Sequence, residues 1–197
     1  HQKAVDASEK WGWSVWKRTA NNNDNENAAH YVIFTNFSSQ EQRDKSMKNW
    51  SMEKAISMMK LGLKGKMSSR TINNILKNGD KVKKEVRQYQ IQWLDATPFV
   101  GELKIGDKMS FAAMTQKMDD YEEYESEVWK PVFEREILRN NHRWWALTKI
   151  AKRNESAYKE PTHLVWNIGV LNGKPFIEDD DFMSKAMRSE KMRDEYR

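Results

Sequence analysis

Over "WGWSVWKR" (11–18) every second position falls on the same side of an extended chain. Trp11, Trp13 and Val15 share one face, and Gly12, Ser14 and Trp16 share the other. That period of two predicts a strand. "HYVIFTNF" (30–37), dense in β-branched and aromatic residues, predicts its hairpin partner across the polar loop "TANNNDNENAA". The period then lengthens. Ser51 offers an N-cap to "SMEKAISMMKLGL", where Met52, Ile56, Met59 and Leu63 fall on one helical face. The stretch 38–49 is polar, and "KGKMSSRTINNILKNGD" reads as a loop with a short helix. A strand is expected around 89–96, and Pro98, Gly101 and Gly106 mark a connection over 98–106.

The second half repeats these signals with sharper edges. "DKMSFAAMTQKM" (107–118) predicts a strand. Asp119 or Asp120 caps a long helix, "DDYEEYESEVWKPVFEREILRN", with acids in the first turns where the helix dipole favours them. Tyr121, Tyr124, Val128, Val132 and Phe133 follow its period, and Pro131 is expected to kink it. "HRWWALTKI" (142–150) and "THLVWNIGV" (162–170) predict a second hairpin, and "DDDFMSKAMRSEKMRDEYR" a charged C-terminal helix.

Set over one another, residues 1–17 and 133–149 match Trp13 with Trp145 and Lys17 with Lys149. A one-residue shift in the polar loop then sets His30 against His163. Helix, strand, polar loop, strand, helix recur at roughly 130 residues, a spacing that fits two related half-domains. The combined order is β-α-β-β-α-β, the ferredoxin-like unit. The expected architecture is therefore α+β: two ferredoxin-like repeats forming an α+β barrel. The first repeat covers 1–97 and lacks its first strand. A connection covers 98–106, and the second repeat, lacking its last strand, covers 107–197. A second chain, or a homo-oligomer, is expected to complete the sheets.

Composition narrows the functional classes. The 197 residues include 9 Trp, 6 Tyr and 7 Phe, enough aromatic surface for a packed core. There is no Cys, which excludes disulfides and thiolate chemistry in this chain. The formal charge of +5 is uneven: from Lys45 to Arg87 twelve Lys and Arg face three acids, whereas from Asp107 onward 18 acids face 16 bases. The lysines are dispersed, as on a solvated helical face, so nucleic acid is not the expected partner. No apolar run reaches bilayer length. The four His (1, 30, 142, 163) show no ligand spacing, and no P-loop, Rossmann or nucleophile-elbow motif occurs, so no metal, cofactor or catalytic residue is assigned.

The segment "DKMSFAAMTQKMDDYEEYESEVWKPVFEREILRNNHRWWALTKI", with its W-K-P helix, resembles bacterial proteins of the dimeric α+β-barrel superfamily. These are largely uncharacterised and carry two ferredoxin-like repeats per chain. "HQKAVDASEKWGWSVWKR" is similar to the matching part of their first repeat. The resemblance covers 1–37 and 86–170. Such proteins are often exported, which implies a periplasmic or secreted location. The superfamily also implies an interior able to hold a small apolar ligand or haem, and hence either a binding protein or an oxygenase-like enzyme. An RNA-binding module shares the strand order, but "HYVIFTNF" lacks the basic-Gly-aromatic start that such a module needs.

Alternation nominates the site. Leu164, Trp166, Ile168 and Val170 are uniformly apolar and are expected to pack on helices, as are Tyr31, Ile33 and Phe37. His30, Phe34, Asn36, His163 and Asn167 then face an interior, with Trp13 and Trp145 as aromatic walls. The expected occupant is a small apolar molecule oriented by the imidazoles.

Overall fold

The computed structural model describes residues 1–20 and 28–170, so the expected C-terminal helix and most of the first hairpin loop lie outside the described residues. The chain divides into two compact units, His1–Lys84 and Glu85–Arg197. It is a mixed α+β protein whose described strands form one sheet of two strands and one of four, with no closed barrel among the described residues.

In the N-terminal unit, helix α1 (Gln2–Asp6) leads into the antiparallel hairpin of β1 (Gly12–Lys17) and β2 (Tyr31–Asn36). Three helices follow, α2 (Gln40–Lys48), α3 (Met52–Leu63) and α4 (Ser69–Asn78), then a 3₁₀ turn, Gly79–Val82. Ser39, Ser51 and Ser68 cap these helices by accepting the backbone N–H three residues on. Helix α2 has a single large apolar residue, the exposed Met47, and no buried residue, which is why periodicity alone missed it. Helix α4 buries Ile72 and runs ten residues where a short helix was expected.

The C-terminal unit is built on the four-stranded sheet. Strand β3 (Tyr89–Ala96) precedes β4 (Met109–Met114). A helical stretch follows, made of α5 (Tyr121–Tyr124), a π-helical turn (Glu125–Trp129) and α6 (Lys130–Leu138). Strands β5 (His142–Arg153) and β6 (His163–Gly169) complete the unit. Spatial order is β3-β5-β6-β4, antiparallel throughout, so β4 and β5 run parallel with β6 between them. Strand β3, which the sequence reading places with residues 1–97, pairs with β5 and belongs to this sheet. Strand pairing is long-range, and local sequence does not carry it.

Pro131 has no N–H to give to a helix. The chain meets it by widening the preceding turn, where the Lys130 N–H bonds the Glu125 carbonyl five residues back. The core lies between α6 and the sheet: Phe133, Trp145, Leu147 and Val165, with Leu94, Met114, Tyr121 and Trp129 against it.

The same local geometry occurs twice, 132 residues apart. Helix α1 ends with Ser8 at φ 57°, its N–H bonded to Val5 O, and Glu9 N–H bonded to Ala4 O. Helix α6 ends with Asn140 at φ 60°, its N–H bonded to Ile137 O, and Asn141 N–H bonded to Glu136 O. His1 stacks on Trp13 with centroids 5.3 Å apart, and Phe133 stacks on Trp145 at 5.8 Å. Trp13 faces Thr35 across its hairpin as Trp145 faces Asn167, and Lys17 faces Tyr31 as Lys149 faces His163. The constant spacing corrects the expected pairing of histidines: Tyr31, not His30, stands where His163 stands.

Candidate functional site

Of the seven nominated residues, His30, Phe34, Asn36 and Trp13 lie in the N-terminal unit, and His163, Asn167 and Trp145 in the C-terminal one. In the first hairpin Phe34 and Asn36 face Ser14 and Gly12, whereas Trp13 faces Thr35. Residues directly opposite share a face of the sheet. Trp13 is therefore on the other side from Phe34 and Asn36, turned towards α1, where its indole N–H donates to Gln2 Oε1 at 3.2 Å. Exposed His30 precedes β2, and its carbonyl accepts the Arg18 N–H at 2.9 Å. These four residues do not line one surface.

In the second hairpin the three nominated residues do share a face, but it is the helix side. Val165 packs with Phe133 and Trp145, and His163 meets Tyr121 and Glu122 of α5. Leu164, Trp166 and Ile168, expected against the helices, point the other way. The expectation inverted the faces because β6 is buried on both, and alternation then carries no sign.

The helix side holds a polar cluster. His163 is fully buried; its Nε2–H donates to Glu122 Oε1 at 3.0 Å, which fixes that nitrogen as protonated. Its Nδ1 lies 2.8 Å from Thr162 Oγ1, which accepts the Gln116 N–H at 2.8 Å. Lys149 Nζ donates to the same Glu122 oxygen at 2.6 Å. The Lys149 ammonium, and then His163, hold the Glu122 carboxyl below its ordinary range. One turn on, burial pushes the Glu125 carboxyl up. Burial likewise lowers His142, which sits on Phe133 and beside Asn167. The hydroxyl–imidazole–carboxylate chain has the composition of a catalytic relay. Its imidazole, however, is sealed under α5, so it acts as a clamp between helix and sheet.

The opposite face is aromatic. Trp93 and Trp144 meet edge to face at 5.7 Å, Phe99 lies 6.2 Å from Trp144, and Phe111 lies 5.0 Å from Trp166. Trp166 donates its indole N–H to Thr148 Oγ1 at 2.8 Å, and Thr148 donates to Leu164 O at 3.1 Å, which satisfies the buried polar atoms at the centre. Towards the edges the rings open to solvent: Trp93 is 46% and Phe111 50% exposed. Arg143 stands beside Phe99, 5.2 Å from its centroid, with bonds to Val100 O, Glu102 O and Asp107. None of these residues was nominated from sequence.

In the N-terminal unit a groove of about 810 Å³ runs between α3 and α4, lined among others by Ile56, Leu61, Met67, Lys60 and Lys64. Among the described residues no His, Asp or Glu group has the arrangement of a metal site, and no helix is long and apolar enough to cross a membrane. No family model, curated protein or solved structure matches the chain.

Proposed function

We propose that the chain is a non-enzymatic binding protein that holds a small, flat, apolar molecule on the aromatic face of its four-stranded sheet. Trp93, Trp144 and Phe99 supply the platform. The observation that carries this reading is the half-exposed ring cluster on the face turned away from α5 and α6. Stacking on such rings buries apolar area without leaving polar groups unpaired, and the Arg143 guanidinium adds a cation at its rim. The helix-side cluster, whose imidazole is fully buried, serves stability. Membership of the dimeric α+β-barrel superfamily, with two ferredoxin-like repeats, is part of the proposal. The recurrence at 132 residues supports it, as does the split β4-helix-β5 unit with β6 between its strands.

Titration with 1-anilinonaphthalene-8-sulfonate, read as dye fluorescence and tryptophan quenching, tests it. Saturable binding that Trp93→Ala with Phe99→Ala weakens about tenfold is the expected result. Binding that ignores both changes, or does not saturate, removes the face from consideration.

A further inference from the structure

The ferredoxin-like unit expected for the first half takes one helix before its last strand. The chain places three there, α2, α3 and α4. Helix α3 is tied to the start of its unit, where Lys54 pairs with Glu9. Helix α4 lies against α3, and Ile56 and Ile72 line the groove between them.

The connection between α3 and α4 is short. The C-cap of α3 is Lys64 and the N-cap of α4 is Ser68, so Gly65, Lys66 and Met67 alone separate the caps. Gly65 takes φ 77°, and the Lys66 and Met67 N–H groups both bond back to Leu63 O, at 2.9 and 3.1 Å. A brief glycine-containing turn of this kind joins the helices of a helix-turn-helix. Ser68 then starts α4 by accepting the Thr71 N–H at 3.1 Å.

Ile72, at 3% exposure, fixes the inner side of α4. At about 100° per residue, Arg70, Asn74 and Lys77 fall within about 40° of the opposite direction, with Thr71 and Asn73 on the flanks. All five are exposed. From Lys54 to Gly79 the chain carries six Lys and Arg and no acid. The sequence reading sets nucleic acid aside because its bases are dispersed along the chain, but the fold gathers them. Lys60, Lys64 and Lys66 are exposed at the end of α3 and in the turn, and Arg70 and Lys77 on the outer face of α4. Helix α2, by contrast, mixes Glu41 and Asp44 among its bases, and Arg43 is paired with Asp44.

We propose that α3, the turn and α4 form a helix-turn-helix for duplex DNA, with the outer face of α4 in the major groove. Guanidinium and amide side chains read base edges there: Arg70 suits guanine, and Asn73 and Asn74 suit adenine. The lysines of the turn meet phosphates. An RNA duplex keeps its major groove too narrow for a helix, and a bilayer needs apolar groups that this face of α4 lacks. A DNA partner owes nothing to the aromatic face of the other unit, and it sets aside the exported location that the resemblance implies.

Fluorescence anisotropy of the full chain with a labelled duplex of about 24 random base pairs tests this. A Kd of about 10 µM is expected in low salt, weakening about a hundredfold between 50 and 200 mM salt if four phosphates are met. Lys64→Glu with Lys66→Glu should weaken binding at least about tenfold with unchanged circular dichroism, and so should Arg70→Ala with Lys77→Ala. Lys45→Glu with Lys48→Glu makes the same charge change as the first pair on α2 and should bind DNA like the parent. In selection from a random duplex library, Asn73→Ala and Asn74→Ala should relax the preference at single positions. The proposal is overturned if about 100 µM protein leaves the duplex free in low salt. It is equally overturned if the α2 pair weakens binding as much as the turn pair. Duplex RNA or phosphatidylglycerol vesicles bound as tightly as the DNA would also overturn it.

Discussion

Two carboxyls one helical turn apart respond to pH in opposite senses. Glu122 is held low by Lys149 and His163, so its contribution is present above its ordinary pKa of 4.5 and is lost as pH falls through the lower folded value. Glu125 is held high by burial, so ionising it costs stability as pH rises from 4.5 through its folded value. Glu125→Gln should therefore raise the melting temperature at pH 7, by about 2–4 °C if the relief is about 1 kcal/mol. The gain should shrink below pH 4.5. Glu122→Gln should lower it at pH 7 and converge with the parent in acid. Melting curves from pH 3 to 8 check both signs. Neither role was legible in the sequence, where the run "DDYEEYESE" reads as helix N-terminal charge. The partner that singles out Glu122 lies 41 residues away, at His163.

Among the elements, the matched helix ends make a paired experiment. Ser8 and Asn140 both hold the left-handed conformation that ends a helix, and Asn tolerates it better than Ser. Ser8→Gly should stabilise by about 0.5–1 kcal/mol and Asn140→Gly by less, measured by urea unfolding. Pro98, Gly101 and Gly106 mark a connection over 98–106, which in the structure lies within the C-terminal unit between β3 and β4, and its anchor was not legible. Arg143 holds it through Val100 O at 3.1 Å, Glu102 O at 2.6 Å and Asp107 at 2.7 Å, and Gly101 at φ 79° makes room for the turn. Arg143→Lys keeps the charge and loses the fork, so limited proteolysis between 98 and 107 should speed up several-fold. Strands β1, β2, β5 and β6 were legible because their apolar pattern is local. The inward sense of β6 was not, since Leu164, Val165 and Trp166 are buried alike.

For the molecule as a whole, apolar burial is uneven. Of the N-terminal unit only Ala4 and Ile72 are buried apolar residues among those described, whereas β5 and β6 alone contribute eight. Stability should follow. Amide exchange is expected to be slowest in β5 and β6 and fast in β1 and β2. Equal protection in the two hairpins would contradict this distribution. Acid should act first on the C-terminal unit: His142 is held neutral by burial, so folding loses support as pH drops below its ordinary 6.5.

The wide turn at Glu125–Trp129 sets the phase of everything after it. A π turn is in effect one inserted residue, and each residue of a helix advances the face by about 100°. Removing Ser126 would let the helix run regularly, but it would then be out of step with the sheet. Tyr121 and Glu122 could keep His163, or Phe133 could keep Trp145, and one helix could not satisfy both. A single-codon deletion in this turn is thus a rotation of half the helix, and no point substitution in the same five residues reproduces it.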